Sequence, residues 1–207
     1  MAIPFKICGI TRLEDARLAF DLGAAALGFI CYAKSPRYIA PAAIEGIIEA
    51  LPKTRALRLV GVFVNEDPDV IRDVARRTGM DTIQLHGEET IEECRALHDL
   101  ILWKAIRLHS ADQFVTIQAF TPYVEAFLFD AAVAGQYGGT GHLVNWELLD
   151  QAPRHTPIVI AGGLNAENAL AAWRRFQPLA LDLSSGIETS PGIKDADKLK
   201  RLFALKG

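Results

Sequence analysis

Short apolar runs alternate with amphipathic stretches along this chain, and that alternation restricts its possible folds more than any other feature. Eight runs have the length and the β-branched or aromatic content of strands: 5–10, 26–32, 57–64, 81–87, 101–108, 125–131, 157–163 and 179–186. The stretches with helical periodicity are 12–22, 41–51, 67–78, 88–98, 110–119, 146–151, 166–175 and 195–205. Alternation of this kind predicts parallel strands joined by right-handed crossovers.

Eight such units predict an α/β fold, a single (β/α)8 barrel (TIM barrel) of eight parallel strands over residues 1–207. The alternative is a doubly wound open sheet, which usually has fewer strands and carries a nucleotide-binding glycine fingerprint after the first strand. The segment after the first run, "CGITRLED", does not match G-x-G-x-x-G. The closed barrel is therefore the prediction.

Local signals predict how some of these helices begin and pack. Thr11 and Glu14 have the spacing of a capping box, with Thr11 as the N-cap. Asp67 followed by Pro68 predicts a second cap, because proline suits the first helical position. Cys94 lies at helical spacing within an apolar face, so it is predicted to pack in the core.

Composition and charge argue against several kinds of partner. The chain is 50% hydrophobic and 23% charged with a formal net charge of -3, so neither nucleic acid nor a membrane is expected as a partner. No apolar run approaches the roughly 18 residues of a membrane span, and the N-terminus predicts no secretory signal. The odd number of cysteines, without metal-type spacing, predicts reduced thiols and a cytoplasmic protein. The sequence leaves the oligomeric state open between a monomer and a homodimer.

The carboxyl ends of the strands are the expected place for an active site in such a barrel. Polar and glycine residues gather at these ends, in chain order Cys8, Cys31, Asn65, His86, Arg107, Asp130 and the turns 161–163 and 184–186. The strands that precede them are mostly apolar. This asymmetry predicts that the carboxyl end of the barrel carries the function.

The turns after strands 7 and 8 predict a phosphate site. They contain Gly162, Gly163, Ser184, Ser185 and Gly186. Backbone N–H groups of such turns commonly bind phosphate in these barrels, although either turn alone could be an ordinary tight turn. Together they favour a phosphorylated small-molecule substrate. A third glycine-rich stretch at 135–146, which includes Gly139, predicts a flexible active-site loop and not a P-loop, because no Gly-Lys-Ser/Thr follows.

Three further side chains have two interpretations each. Arg37 in "KSPRY" is a permanently charged planar donor suited to a carboxylate, but a surface arginine would explain it equally well. His86 is predicted to line the pocket, with a structural histidine as the alternative. Cys31 is predicted to serve packing and not chemistry.

The motifs "KICGIT", "GFICYAKSPRYI", "VGVFVN", "IQLHG", "FDA…GGTG…W", "AGGLNAEN" and "DLSSGIETSPGIKD" resemble, in this order, the phosphoribosylanthranilate isomerase family of tryptophan biosynthesis. The resemblance implies an Amadori rearrangement of N-(5-phosphoribosyl)anthranilate to 1-(2-carboxyphenylamino)-1-deoxyribulose 5-phosphate. It also implies that Cys8 is the general base, that Asp130 is the general acid and that Arg37 holds the anthranilate carboxylate. The loop after strand 6 departs from the family pattern, with His142 in place of lysine and Asn145 in place of aspartate.

This chemistry agrees with the residues themselves. An acid must protonate the ribose ring oxygen to open the ring, and a base must then remove the proton from C2. No electrons leave and no bond is hydrolysed, so no metal and no nucleotide cofactor is expected. Strands 1 and 6 are three steps apart in a closed ring of eight, which places Cys8 and Asp130 across the mouth from each other. Positive potential near Cys8 is expected, to favour its thiolate.

Two other functions remain open at this point. One is another phosphate-binding barrel, such as the aminoaldose isomerase of histidine biosynthesis, in which a pair of aspartates does similar chemistry; the cysteine at position 8 argues against it. The other is a non-catalytic barrel that binds a sugar phosphate as a regulator or scaffold. The presence of both Cys8 and Asp130 argues against that interpretation.

Strand alternation leads to one further prediction. Lys6 shares a strand face with Cys8, and Asp182 shares a face with Ser184. Barrel closure makes strand 8 the neighbour of strand 1, so a buried ion pair between Lys6 and Asp182 is predicted beneath the site. The alternative is that Lys6 faces outward and extends to solvent between helices.

Overall fold

Eight parallel strands close into a barrel in chain order, with the first strand paired to the eighth. The structure is a computed structural model that describes residues 2–54, 56–131, 144–152 and 156–205. The barrel strands are β1 (Phe5–Cys8), β2 (Ala26–Ile30), β3 (Arg58–Phe63), β4 (Thr82–Leu85), β5 (Ile101–Leu108), β6 (Ala126–Ala131), β7 (Ile158–Ile160) and β8 (Ala180–Leu183). The predicted barrel is therefore confirmed.

Helices follow the barrel strands in alternation, as predicted. They are α1 (Leu13–Asp21), α2 (Pro41–Glu49), α3 (Pro68–Thr78), α4 (Ile91–Ala96), α5 (Gln113–Ile117), α6 (Trp146–Leu149), α7 (Ala169–Phe176) and α8 (Ala196–Phe203). The predicted stretches overlap all eight, and most extend a few residues too far. None of the helices in the described ranges is long and apolar enough to cross a membrane.

A two-stranded hairpin after β8 is the part of the fold that the alternation did not predict. It pairs β9 (Glu188–Ser190) with β10 (Ile193–Lys194) in antiparallel fashion. Gly192 between them has φ of 82°, a left-handed conformation that favours glycine. The hairpin brings Glu188 and Lys194 over the carboxyl end of β1, as their contacts below show.

Alternate side chains of each strand separate into two clusters. The smaller cluster fills the barrel interior and consists of Ala26, Val60, Trp103, Ala105, Ala126, Leu128, Val159, Ala161 and Ala180. The larger cluster lies between the strands and the surrounding helices. Cys94 is fully buried in that larger cluster and Cys31 is half-buried against it, so both packing predictions are confirmed.

Of the two predicted helix caps, one is present and the other is absent. Asp67 caps α3 as predicted, with its side chain accepting a hydrogen bond from the Asp69 N–H. Thr11 is not a helix cap, because α1 begins one residue later than that prediction requires. Its hydroxyl donates instead to the carbonyl of Gly192, a partner supplied by the hairpin. Such a long-range competitor cannot be inferred from capping-box spacing.

Candidate active site

Cys8 and Asp130 lie at the carboxyl ends of β1 and β6, on opposite sides of the barrel mouth. In the closed strand order β7 and β8 separate their strands. Both side chains are buried, with 6% and 4% of their surface exposed. The predicted acid and base are therefore both buried at the same end of the barrel.

The ion pair between Lys6 and Asp182 is present beneath Cys8. The two residues are direct register partners across β1 and β8. The Lys6 ammonium lies 2.9 and 2.8 Å from the two carboxylate oxygens of Asp182, and Lys6 is completely buried. The prediction is confirmed, and the outward-facing alternative for Lys6 is wrong.

Gly28 provides the space in which the thiol and the ammonium meet. It is the register partner of Cys8 on β2. A methyl group at Gly28 would lie 2.8 Å from Cys8 Sγ and 3.0 Å from Lys6 Nζ, closer than real Cβ contacts. Lys6 donates to both carboxylate oxygens of Asp182, and its ammonium lies on the same side of Gly28 as the Cys8 thiol. A glycine inside a strand often marks a close approach of this kind, so Gly28 is the sequence signal for the contact beside Cys8.

The charges around Cys8 act in opposite directions on its protonation. Burial raises the pKa of the Cys8 thiol and Asp182 raises it further, whereas Lys6 and Lys194 lower it. The net shift is upward, because desolvation disfavours the thiolate. The expected positive groups are present beside Cys8, but burial and Asp182 outweigh them.

Arg37 is buried and belongs to an ion-pair cluster that also contains Glu188 and Lys194. Its Nε lies 3.0 Å from both Glu188 carboxylate oxygens, and its Nη2 lies 2.8 Å from one of them. Lys194 Nζ donates to the same carboxylate at 2.7 Å and also to the carbonyl of Cys8. The surface-arginine alternative is therefore wrong.

Burial and ion pairing act in opposite directions on the charges of this cluster. Burial alone would raise the pKa of Glu188, but the hydrogen bond from Arg37 and the charge of Lys194 outweigh it, and the pKa is lowered. Burial lowers the pKa of Lys194, and its contact with Glu188 opposes that shift. The hairpin is thereby tied to the strand end that carries Cys8.

His86 lies in a buried contact chain with Gln84 and Asp130. Its Nδ1 is 2.7 Å from the amide nitrogen of Gln84, and its Nε2 is 3.4 Å from Asp130 Oδ2. All three side chains are at least nine-tenths buried. The sequence predicted His86 at the site but gave no reason to connect it with Gln84.

The turns after β7 and β8 lie against each other at the same end of the barrel. Gly162 and Gly163 have φ of 83° and 60°, both in the left-handed region. A Cβ at Gly186 would collide with the Leu164 carbonyl oxygen, so the second turn needs glycine in order to reach the first. Ser184 and Ser185 stand at the start of that second turn. A phosphate bound by these turns stays a prediction.

The remaining predicted positions fall partly outside the described residues. Gly139 and His142 lie there, so the structure says nothing about them. Asn145 is described: its side chain accepts a hydrogen bond of 3.0 Å from the Leu148 N–H and so caps α6. Within the described ranges, no group of three His, Cys, Asp or Glu side chains is arranged to hold a metal ion.

The fold and the polar strand ends together are those of a (β/α)8-barrel enzyme. Residues 5–204 match the family model for N-(5'-phosphoribosyl)anthranilate isomerase. The isomerase of that name from Gloeothece citriformis is 41% identical over 202 residues, covering 96% of this chain and 91% of the relative. The chain belongs to the N-(5'-phosphoribosyl)anthranilate isomerase family, and it is an isomerase of tryptophan biosynthesis.

Solved structures of the family superpose closely on this one. The phosphoribosylanthranilate isomerase from Thermus thermophilus has a TM-score of 0.86 at 36% identity, covering 98% of this chain and 97% of its own. Another family structure is a complex with reduced 1-(o-carboxyphenylamino)-1-deoxyribulose 5-phosphate. It has a TM-score of 0.83 at 36% identity, covering 97% of this chain and 96% of its own.

Proposed function

We propose that this protein converts N-(5'-phosphoribosyl)anthranilate to 1-(2-carboxyphenylamino)-1-deoxyribulose 5-phosphate, with Cys8 as the general base and Asp130 as the general acid. The observation that carries the proposal is the placement of these two buried groups on opposite sides of one barrel mouth. The acid acts on the ring oxygen and the base on C2, two atoms that lie on either side of C1, and that arrangement allows both to reach one sugar. The family structure with a reduced product analogue supports the choice of substrate.

The acid step opens the sugar ring. Asp130 donates its proton to the ring oxygen as the bond from that oxygen to C1 breaks. The nitrogen lone pair of the substrate forms the new double bond to C1, which gives a protonated Schiff base. The positive charge of that Schiff base makes the proton on C2 more acidic, which prepares the base step.

The base step moves the double bond. Cys8, as thiolate, takes the proton from C2, and the electron pair left behind forms the enolamine between C1 and C2. The enolamine becomes the ketone when C1 gains a proton and the C2 hydroxyl loses one. The protons given and taken balance, so no electrons and no co-reactant are needed. The positive charge of Lys6 stabilises the thiolate while it exists.

The two ends of the substrate fit two separate features of the mouth. In this proposal Arg37 binds the anthranilate carboxylate, and its ion pair with Glu188, at 2.8 Å, supports a fixed orientation of the guanidinium. Arg37 and Lys194 are two buried cations that share one carboxylate, Glu188. That excess positive charge suits an anionic substrate. The turns after β7 and β8 are placed to hold the phosphate at the other end.

A fluorescence assay tests the proposal. Freshly made phosphoribosylanthranilate loses its fluorescence when it is rearranged, so adding the protein should accelerate that loss in proportion to its concentration. The aminoaldose substrate of histidine biosynthesis, offered in parallel, separates the two isomerase reactions. No acceleration with either substrate would refute an isomerase function, and turnover of the aminoaldose alone would reassign it.

A further inference from the structure

A chain of buried polar contacts runs from Gln84 through His86 to the predicted acid. The Gln84 amide nitrogen is 2.7 Å from His86 Nδ1, and His86 Nε2 is 3.4 Å from Asp130 Oδ2. The exposed fractions are 1% for Gln84, 8% for His86 and 4% for Asp130. Polar groups buried to this degree are normally satisfied by specific partners, so this arrangement needs an explanation.

The backbone brings these three side chains together. Gln84 and His86 are two residues apart at the end of β4 and therefore share one face of the strand. Asp130 lies on β6, with only β5 between them. On β5, Arg107 is the register partner of Asp130, and the small interior Ala105 lies two residues before it.

The contact with Gln84 selects one form of the imidazole ring. The amide nitrogen can only donate a hydrogen bond, so Nδ1 accepts it. A neutral ring then carries its own proton on Nε2, the nitrogen that faces Asp130. The backbone is also held, because the His86 N–H donates to the Phe63 carbonyl at 2.8 Å. The Gln84 contact and this backbone hydrogen bond together hold the ring in its orientation toward Asp130.

We propose that His86 is a positioning residue that orients the carboxyl group of Asp130 for proton donation, and that Gln84 orients His86. The inference rests on the proposed function and deepens it. It differs from the prediction that His86 binds the substrate, because a positioning residue acts on the chemical step. The imidazole, packed 3.4 Å from Oδ2, restricts rotation of the carboxyl group and keeps its acidic proton directed at the ring oxygen.

Kinetic measurements separate the two roles of His86. His86→Ala should lower kcat about tenfold or more, with KM nearly unchanged, because geometry and not affinity is lost. His86→Gln, whose amide can again place an N–H near Asp130, should recover much of that loss. Gln84→Leu should show the same pattern as His86→Ala in weaker form. His98→Gln, at an exposed histidine outside the site, is the matched control and should leave both constants unchanged.

Two kinetic outcomes would overturn the inference. A raised KM with kcat intact in His86→Ala would make His86 a substrate-binding residue. Wild-type kinetics in His86→Ala would remove it from the site. Circular dichroism shows whether His86→Ala folds. If it does not, Gln84→Leu and His86→Gln are compared instead. The inference then requires kcat to fall in Gln84→Leu.

Nitrogen NMR of histidine-labelled protein tests the orientation without any turnover. The His86 signals are identified by their absence in His86→Gln. In the wild-type protein they should show the tautomer protonated at Nε2, and in Gln84→Leu they should show a mixture of tautomers. An unchanged tautomer in Gln84→Leu would refute the role of Gln84. The NMR experiment needs no enzyme activity. A protein that fails the isomerase assay would therefore refute the proposed function, and the NMR signals would still test whether Gln84 orients His86.

Discussion

The buried pair of Lys6 and Asp182 should be strongly coupled in stability. Lys6→Met keeps most of the side-chain volume but leaves the Asp182 carboxylate buried without its ammonium, which sits at 2.8 and 2.9 Å in the native site. Breaking a buried pair from one side typically costs about 3–5 kcal/mol. Asp182→Leu leaves the lysine unpaired and should cost a similar amount.

The double variant distinguishes an ion pair from two independent residues. Lys6→Met with Asp182→Leu removes both charges, so its cost should fall short of the sum of the single costs by about 2 kcal/mol or more. The assay is equilibrium unfolding in urea at pH 7. At that pH the pair is fully formed, because the pKa of Lys6 is raised above 10.5. Its contribution to the free energy of unfolding is lost only as the pH rises through that raised pKa.

A matched lysine–aspartate pair on the surface serves as the control. Lys200 and Asp197 lie one helical turn apart on α8, with their charged groups 3.8 Å apart and mostly exposed. The same cycle of substitutions there should show no measurable coupling. If the two single losses of unfolding free energy sum to that of the double variant within about 0.5 kcal/mol, the argument that the charges of Lys6 and Asp182 depend on each other is refuted.

Two further predictions concern the surroundings of Cys8. Alkylation by iodoacetamide near neutral pH measures the reactivity of Cys8 once the other two cysteines are replaced by serine. The rate should be higher in Asp182→Asn and lower in Lys6→Met, because the carboxylate raises the pKa of the Cys8 thiol and the ammonium lowers it. Equal rates in both variants would contradict this. Gly28→Ala should lower the free energy of unfolding in urea by about 1–3 kcal/mol, since its methyl group would press on Cys8 Sγ and Lys6 Nζ. Gly46→Ala is the control: it has open space around it in α2 and should raise the free energy of unfolding by about 0.5–1 kcal/mol. An unchanged stability in Gly28→Ala would show that the site tolerates the extra methyl group.

Features that depend on strand periodicity and barrel closure could be predicted from the sequence. Alternation placed Lys6 and Cys8 on one face, and closure set β8 beside β1, so the pair with Asp182 followed. The same reasoning placed Asp130 across the mouth. These features need only the period of a strand and the number of strands.

Features that depend on where a loop folds back could not be predicted. Glu188 and Lys194 reach Arg37 and Cys8 through the hairpin after β8, whose position no periodicity encodes. The same hairpin supplies the Gly192 carbonyl that takes Thr11 away from helix capping. A real capping box, at Thr90 and Glu93, was overlooked although its residues have the expected spacing.

The rate of substrate turnover by a matched set of variants tests the central claim most directly. In the fluorescence assay with phosphoribosylanthranilate, Cys8→Ala and Asp130→Asn should each lose about 10²–10⁴-fold in kcat while circular dichroism shows an intact fold. Cys31→Ala, which removes a thiol that only packs against the core, should keep the wild-type rate. Near-wild-type turnover by either Cys8→Ala or Asp130→Asn would contradict the assignment of that residue.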